Sequence, residues 1–272
     1  MKFGCFSLDF RRFPLETAFR MAARYGFSGL EIWGGRPHAY PWDMNEERIS
    51  QILAWKKQYV LETPMYTPDA LGGPVNLCSM MKEAQADAIA YFSRAIEVCQ
   101  AIECPRMLIV ADHPGYTVPR KEAWKRFIDN MQVLGKHAAA HDVKLVIESL
   151  TPMESPVITT ADDCAEAIEQ IGLDNIEAMM DVVPPTIAYE PLQNYFDRLG
   201  DKLHYIHLCN NDRQTDAHLR LDSGLLPVAD MVKVIAEHDF DGYVTVELYS
   251  EFYSDPELLL ANSRRFLDGI RL

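Results

Sequence analysis

The chain has 272 residues, of which 48% are hydrophobic and 24% are charged, and its formal net charge is −14. Such a chain is long enough for one globular domain with a sizeable core, and we find no apolar run of about 18 residues that would span a membrane. The acidic charge opposes binding to nucleic acid or to an anionic membrane, because both attract clustered lysine and arginine.

The amino-terminal region and the cysteines predict a cytoplasmic protein. Asp9, Arg11 and Arg12 interrupt the first apolar residues, so no signal peptide is expected. The six cysteines are scattered and form no C-x-x-C pair. This pattern is typical of reduced thiols that pack as small apolar side chains.

Short β-rich runs alternate with longer helical patterns along the whole chain. The strand candidates lie at 3–8, 29–33, 60–66, 106–110, 144–148, 177–181, 205–209 and 243–248. The helix candidates lie at 14–25, 44–58, 80–101, 119–141, 160–171, 188–199, 227–238 and 256–270. Eight such repeats predict a parallel sheet closed into a (β/α)8 TIM barrel, as a single α/β domain over residues 1–272. A doubly wound open sheet is the alternative, but it usually carries a G-x-G-x-x-G or Walker turn, and we find neither in the sequence.

The last four predicted strands each end in an ionisable side chain. In chain order these are Glu148, Asp181, His207 and Glu247. The carboxyl ends of the strands carry the chemistry in TIM barrels, so the four side chains should converge on one point. Three carboxylates at one buried point repel one another, and a divalent cation would remove that cost. Three oxygen ligands and one nitrogen ligand suit Mn²⁺, Mg²⁺, Co²⁺ or Zn²⁺.

These four residues match the shared metal site of the xylose isomerase-like TIM barrel superfamily, which the chain resembles over its whole length. The superfamily includes ketose 3-epimerases, hydroxypyruvate isomerases and endonuclease IV. Within it, the stretches 29–39, 66–68, 150–155 and 195–203 are most similar to the fructoselysine 3-epimerases. The resemblance implies a sugar epimerase or isomerase with one bound divalent ion, for which we expect Mn²⁺.

Two positions depart from the pattern of many ketose 3-epimerases. Pro184 stands where these enzymes often have a histidine three residues after the aspartate ligand, and 221–224 replaces a common Pro-Gly-x-Gly turn. Arg213 and Glu154 instead match substrate-contacting residues of the tagatose-type epimerases. The fructoselysine 3-epimerases look similar to this chain in lacking that histidine, but they do not share Arg213, so these features point to different relatives.

The resemblance implies that Glu148 and Glu247 act in acid–base catalysis as well as in metal binding, whereas Asp181 and His207 bind metal only. Epimerisation needs one group that removes the proton next to the carbonyl and another that returns a proton on the opposite face. Two carboxylates that flank an enediolate meet this requirement, and a Lewis-acidic metal stabilises its charge.

Further side chains near the predicted strand ends are candidates for substrate binding. They are Trp33, Arg36, His38, Tyr66, His113, Glu154, Arg213, Asp216 and His218. Ordinary packing is an alternative for Tyr66, and a solvated loop is an alternative for Arg36 and His38. The Asp216-x-His218 pair would also suit a second metal, as in endonuclease IV.

Three other functions stay open at this point. The same site would serve an aldose–ketose isomerase, in which a different carbon loses its proton. An abasic-site nuclease has the same fold, but the net charge of −14 opposes it. A barrel that only binds a sugar would not need two opposed carboxylates at a metal. We expect a small sugar as the partner, and the resemblance implies a homodimer or homotetramer.

Overall fold

Eight parallel strands close into a barrel in which each strand pairs with its neighbours in chain order. The computed structural model describes residues 1–249 and 254–271. The strands are β1 (Lys2–Phe6), β2 (Gly29–Gly34), β3 (Tyr66–Pro68), β4 (Arg106–Val110), β5 (Lys144–Glu148), β6 (Ile176–Asp181), β7 (Leu203–Leu208) and β8 (Tyr243–Val246). The predicted single-domain TIM barrel is therefore confirmed.

Helices connect the strands and cover the outside of the barrel. In chain order they are α1 (Leu15–Arg24), α2 (Glu46–Tyr59), α3 (Lys82–Ala101), α4 (Arg120–Ala140), α5 (Ala161–Ile171), α6 (Val183–Ala188), α7 (Leu192–Leu199), α8 (Val228–Glu237) and α9 (Pro256–Asp268). Local sequence sets their ends. The Thr160 hydroxyl accepts a hydrogen bond from the backbone N–H of Asp163, and Gly172 ends α5 with a φ of 68°. Among the helices of the described ranges, none is both long enough and apolar enough to cross a membrane.

Two predicted elements differ from the structure by more than two residues at one end. The prediction of a third strand at 60–66 is wrong at its start, because Val60 is 88% exposed and ends α2 in a left-handed conformation with a φ of 53°. The strand itself begins at Tyr66. The helix predicted at 188–199 begins only at Leu192, and the short helix α6 precedes it. Tyr189, with a φ of 56°, breaks the helical path between the two.

Alternation along the strands separates two apolar layers. Side chains of one parity pack against the helices, and those of the other parity fill the barrel interior. The interior layer contains Met65, Leu108, Val110, Val146, Leu150, Met179, Tyr205 and Tyr243. Val146 precedes Glu148 by two residues, and Tyr205 precedes His207 by two, so these ionisable side chains also point into the barrel near its carboxyl end. All six cysteines are buried and free, as the sequence predicts.

The amino-terminal end of the barrel neutralises its buried charge. Glu177 in β6 is 2% exposed, and it accepts hydrogen bonds from Arg106 at 2.7 Å and from Lys144 at 2.5 Å. Burial alone would raise the pKa of Glu177, but the two cations outweigh burial and hold this pKa below its ordinary value. One carboxylate therefore connects the amino-terminal ends of β4, β5 and β6.

Replacing Glu177 with Gln should lower the free energy of unfolding by about 2 kcal/mol, because the neutral amide leaves two cations unpaired that water reaches only in part. Since the pKa of Glu177 is lower in the folded state, the stabilisation is fully present above the unfolded-state pKa of about 4.3. It is lost as the pH falls through the folded-state pKa. Urea unfolding should therefore separate wild type from variant at neutral pH and less so below about pH 4.

The matched control for this prediction is Asp129→Asn, which removes an exposed ion pair with Lys125. This change should cost less than about 0.5 kcal/mol, because water already screens the pair. Equal losses of stability in the two variants would contradict the structural role of Glu177.

Candidate active site

Four ionisable side chains from the second half of the barrel meet at its carboxyl end. Glu148, Asp181, His207 and Glu247 each offer one possible ligand atom, and these atoms lie within 4.8 Å of one another. The sheet produces this arrangement, since Asp181 pairs with His207 in the register of β6 and β7. Glu247 directly follows β8, and its backbone N–H still donates to the carbonyl of Leu208. The structure thus brings together the four residues that the sequence predicts.

The imidazole of His207 links the carboxylates. Its Nδ1 atom lies 3.0 Å from Glu148 Oε1 and 2.9 Å from Glu247 Oε2. Asp181 contacts a second imidazole, because its Oδ2 atom lies 2.8 Å from His218 Nε2. Each carboxylate of the cluster therefore has an imidazole nitrogen within hydrogen-bond distance.

Burial and neighbouring charges act together on this cluster. Burial raises the pKa of Glu148 to about 7, although the nearby His207 opposes the shift. Burial alone would lower the pKa of His207, but the carboxylates around it, Glu247 and Glu31 foremost, raise this pKa well above its ordinary value. The charged forms of Glu148 and His207 are stabilised mainly by the opposite charges inside the cluster, because little water reaches these side chains.

The donor set of this cluster fits a divalent cation. Three carboxylate oxygens and one imidazole nitrogen at this separation are typical of sites for Mn²⁺, Mg²⁺, Co²⁺ or Zn²⁺. A divalent cation among them would replace the mutual repulsion of the carboxylates with attraction.

A cavity of about 540 Å³ opens over the cluster. Its lining consists of Phe6, Leu8, Arg11, Trp33, Thr67, Pro68, Asp69, Ala70, Leu71, Leu108, Val110, Glu148, Leu150, Glu154, Asp216, Glu247 and Tyr249. Glu148 and Glu247 thus reach the cavity, whereas Asp181 and His207 lie behind its wall and are 4% and 1% exposed. The two glutamates face whatever enters the cavity, and the other two residues face only the cluster.

Three of the predicted substrate-binding residues line the cavity, namely Trp33, Glu154 and Asp216. Glu154 accepts hydrogen bonds from the backbone N–H and the hydroxyl of Thr151, yet burial raises the pKa of Glu154 to about 8. Asp216 accepts a hydrogen bond of 2.5 Å from the hydroxyl of Tyr249. These side chains extend the acidic character of the cluster along the cavity wall.

His218 lies behind the cavity and contacts Asp181. Its Nδ1 atom donates to the backbone carbonyl of Asp216 at 3.0 Å, while the carboxylate of Asp216 is turned toward Tyr249. Within residues 1–249 and 254–271, the group of possible ligands that contains His218 is completed by Asp181 and Cys209, not by Asp216. The structure therefore gives no support to a second metal between Asp216 and His218.

The structure corrects the placement of Tyr66 and His38. Thr67 lines the cavity, so the alternation along β3 turns Tyr66 outward, where its hydroxyl donates to the carbonyl of Ala39 at 2.6 Å. His38 is buried away from the cavity lining, and its Nε2 atom lies 2.9 Å from the backbone carbonyl of Phe13. Both side chains serve packing in this structure.

Arg36, His113 and Arg213 lie on loops outside the cavity lining. Arg36 forms an ion pair with Asp43 at 2.6 Å on the surface. His113 accepts a hydrogen bond from the backbone N–H of Gly115 at 2.9 Å, and Arg213 is exposed. Each residue follows the strand that the sequence predicts, but the path of its loop carries the side chain away from the cavity.

Several residues in and behind the cavity wall are not found by sequence analysis. Glu31 is fully buried in β2 and lies 2.9 Å from His207. Asp69 and Arg11 line the cavity from the loops after β3 and β1, where no spacing rule identifies them. For Glu31 there is a signal, since a carboxylate two residues before Trp33 in an apolar strand points to the same side of the sheet.

A parallel barrel with ionisable side chains at the carboxyl ends of its strands is the arrangement of TIM-barrel enzymes. The family model described as "Xylose isomerase-like TIM barrel" matches residues 19–270, and the chain belongs to this family. The chain is 34% identical over 258 residues to the fructoselysine 3-epimerase of Shigella flexneri, a match that covers 95% of this chain and 94% of that protein. Because this relative is an epimerase, the prediction of an enzyme of the isomerase class is confirmed.

Solved structures share the fold of this chain. The D-psicose 3-epimerase of Clostridium cellulolyticum H10 with D-tagatose has a TM-score of 0.81 at 18% identity, over 98% of this chain and 97% of that chain. The IOLI protein with a binding zinc atom has a TM-score of 0.84 at 15% identity, over 99% of this chain and 98% of that chain.

Protein stripped of metal should bind Mn²⁺ or Zn²⁺, and Asp181→Asn should weaken this binding at least 100-fold, or about 2.7 kcal/mol, because a neutral amide replaces one charged ligand. Isothermal titration calorimetry measures both dissociation constants. Asp69→Asn is the matched control, since Asp69 lines the cavity outside the cluster, and the affinity of this variant should stay within about threefold of wild type. A loss of the same size in both variants would show that general charge, not ligation, governs binding.

Proposed function

We propose that this isomerase epimerises a ketose-type sugar at carbon 3 and that a fructosamine such as fructoselysine is its substrate. The similarity to the Shigella flexneri fructoselysine 3-epimerase over 95% of the chain supports this choice. The observation that carries the proposal is the position of Glu148 and Glu247. Both side chains line the cavity, and both contact the Nδ1 atom of His207. Two carboxylates that face one substrate are what proton removal and proton return require.

Glu148 and Glu247 move the proton in this proposal. The hydrogen on a carbon next to a ketone is weakly acidic, so its removal needs a base and stabilisation of the enediolate that forms. One glutamate removes the proton from C3, and the other returns a proton to the opposite face. Burial raises the pKa of Glu148 to about 7. A divalent ion bound to Glu148 would lower this pKa, so that the carboxylate is charged and can accept the proton.

The four clustered residues would hold the divalent ion in this proposal, and we propose Mn²⁺. When bound, it supplies Lewis-acid stabilisation for the negative charge that develops on the substrate. Asp181 and His207, which lie behind the cavity wall, serve only as ligands. Glu148 and Glu247 can serve twice, because each carboxylate has one oxygen for the ion and another for the substrate proton.

The charge of the cavity supports a substrate without phosphate. Asp69 and Asp216 add carboxylates to the wall beside Glu148 and Glu247, and Arg11 is the single lysine or arginine in the described part of the lining. Such a wall repels phosphate groups and attracts an amine. A fructosamine carries an amine beside its keto group, so its charge complements this cavity.

Solvent deuterium exchange, read by NMR, identifies the carbon that loses its proton. With Mn²⁺ present, wild type should introduce deuterium at C3 of a ketose or fructosamine. Glu148→Gln and Glu247→Gln should each slow this exchange about 10²- to 10⁴-fold, because one acid–base group is lost. The metal content of each variant, measured in parallel, separates this loss from loss of the ion.

The control for the exchange experiment is Arg36→Gln, which changes a surface ion pair and should exchange at the wild-type rate. Exchange at C1 in place of C3 would identify an aldose–ketose isomerase. No exchange in any ketose or fructosamine, with the ion bound, would refute the epimerase proposal.

Replacing Asp69 with Asn should raise KM for a fructosamine about tenfold, or about 1.4 kcal/mol, because one negative charge leaves the cavity wall. The KM for a neutral ketose should change less than about twofold, since it carries no charge to attract. Steady-state kinetics on both substrates test this. Asp43→Asn removes an equal charge outside the cavity and should change neither KM. An equal rise for both substrates would mean that Asp69 does not recognise an amine.

A further inference from the structure

Glu31 is a fully buried carboxylate that takes no part in the proposed proton transfer. Its two oxygens accept three hydrogen bonds. The Oε2 atom lies 2.9 Å from His207 Nε2 and accepts from the Tyr205 hydroxyl at 2.9 Å. The Oε1 atom accepts from the Thr67 hydroxyl at 2.5 Å. A carboxylate that is 0% exposed is costly in a barrel interior, so this set of donors is needed to keep it there.

The contact with Glu31 decides which nitrogen of His207 would keep its hydrogen beside a bound ion. A carboxylate accepts hydrogen bonds, so the Nε2 atom that faces Glu31 holds an N–H group and donates it. The other nitrogen, Nδ1, lies 3.0 Å from Glu148 Oε1 and 2.9 Å from Glu247 Oε2. Nδ1 thus also faces acceptors and carries hydrogen when no ion is present, and a divalent ion bound among these carboxylates would take the place of that hydrogen, while Nε2 keeps its own against Glu31.

We propose that Glu31 is a positioning residue that fixes the ring orientation and the tautomer of His207, so that Nδ1 binds the divalent ion. This inference rests on the metal centre of the proposed function. A carboxylate hydrogen-bonded to the far nitrogen of a metal-binding histidine holds its ring in place and makes the ligand nitrogen more basic.

The surroundings of Glu31 make its carboxylate hard to replace. Tyr205 and Thr245 share a hydrogen bond of 2.6 Å, and Thr245 pairs with His207 in the register of β7 and β8. Together with Thr67, these contacts connect β2, β3, β7 and β8 behind the cluster. Glutamine reproduces them only with its NH₂ group turned toward the Thr67 hydroxyl, and even then it lacks the negative charge that holds the N–H on Nε2 and makes Nδ1 more basic.

Metal affinity tests this inference without reference to turnover. Glu31→Gln should bind Zn²⁺ and Mn²⁺ about 10- to 100-fold more weakly than wild type in calorimetry. Glu177→Gln is the matched control, a buried carboxylate paired with cations at the other end of the barrel, and it should leave both affinities unchanged. Tyr205→Phe and Thr67→Val each remove one donor to Glu31 and should weaken binding by a smaller factor, about 2- to 10-fold.

A second measurement reports on the imidazole ring directly. In Zn²⁺-loaded protein with nitrogen-15-labelled histidine, the His207 signals are assigned by their absence from His207→Gln. Wild type should show a protonated Nε2 and a metal-bound Nδ1, and Glu31→Gln should show a changed or mixed pattern. This pattern would not change if Glu31 only supported the fold.

Each outcome separates this inference from the proposed function. If wild type binds neither ion, the metal centre is refuted, and the role of Glu31 is refuted with it. If wild type binds but Glu31→Gln binds equally well with the same ring pattern, only the role of Glu31 is overturned. Should Glu31→Gln fail to fold, wild-type affinity in both Tyr205→Phe and Thr67→Val would overturn the inference.

Discussion

The rest of the site depends on the contacts between the imidazole of His207 and the three carboxylates around it. One of its nitrogens lies 3.0 Å from Glu148 and 2.9 Å from Glu247, and the other lies 2.9 Å from Glu31. Burial removes the water that would otherwise screen these carboxylates, so without metal the imidazole supplies positive charge that holds them together. A divalent ion needs the neutral imidazole, so metal binding and protonation of His207 compete. In the proposed metal centre, the ion would replace the proton on His207 as the positive charge among the carboxylates.

The two ends of the barrel treat buried acid in opposite ways. At the amino end, Glu177 is paired with Arg106 and Lys144, and the charges cancel within the fold. At the carboxyl end, the cavity is lined by several carboxylates, with Arg11 as the cation in the described lining. Charge that is not cancelled by the fold lowers stability, so it is retained where a ligand can cancel it. The pairing of buried carboxylates thus distinguishes the amino end, where they support the fold, from the carboxyl end, where they line the cavity.

The sequence predicts those parts of this structure that depend on local pattern. A β-rich run that ends in an acid or a histidine is a local feature, and it suffices to find the four clustered residues. Val60 looks like the start of a strand but caps a helix, because its exposed, left-handed backbone closes α2. Tyr66 is assigned to the wrong face, because a three-residue strand offers too little alternation to fix its orientation. The position of the Arg36 side chain depends on the path of its loop, and the contacts of Glu31 depend on residues far away in the chain. Sequence spacing therefore predicts neither.

A shift in strand register turns the central imidazole into the barrel. Ala178 pairs with Leu203, yet Asp181 pairs with His207, so β7 advances by four residues while β6 advances by three. In a regular ladder Asp181 would instead pair with Ile206, which packs in the outer apolar layer. Paired residues on neighbouring strands point to the same face, so His207 would then face the helices. One extra residue in β7 therefore reverses the side that its last residues present, as β-bulges beside active sites do. The geometry of the cluster thus depends on an irregularity of the sheet as much as on the identity of its four side chains.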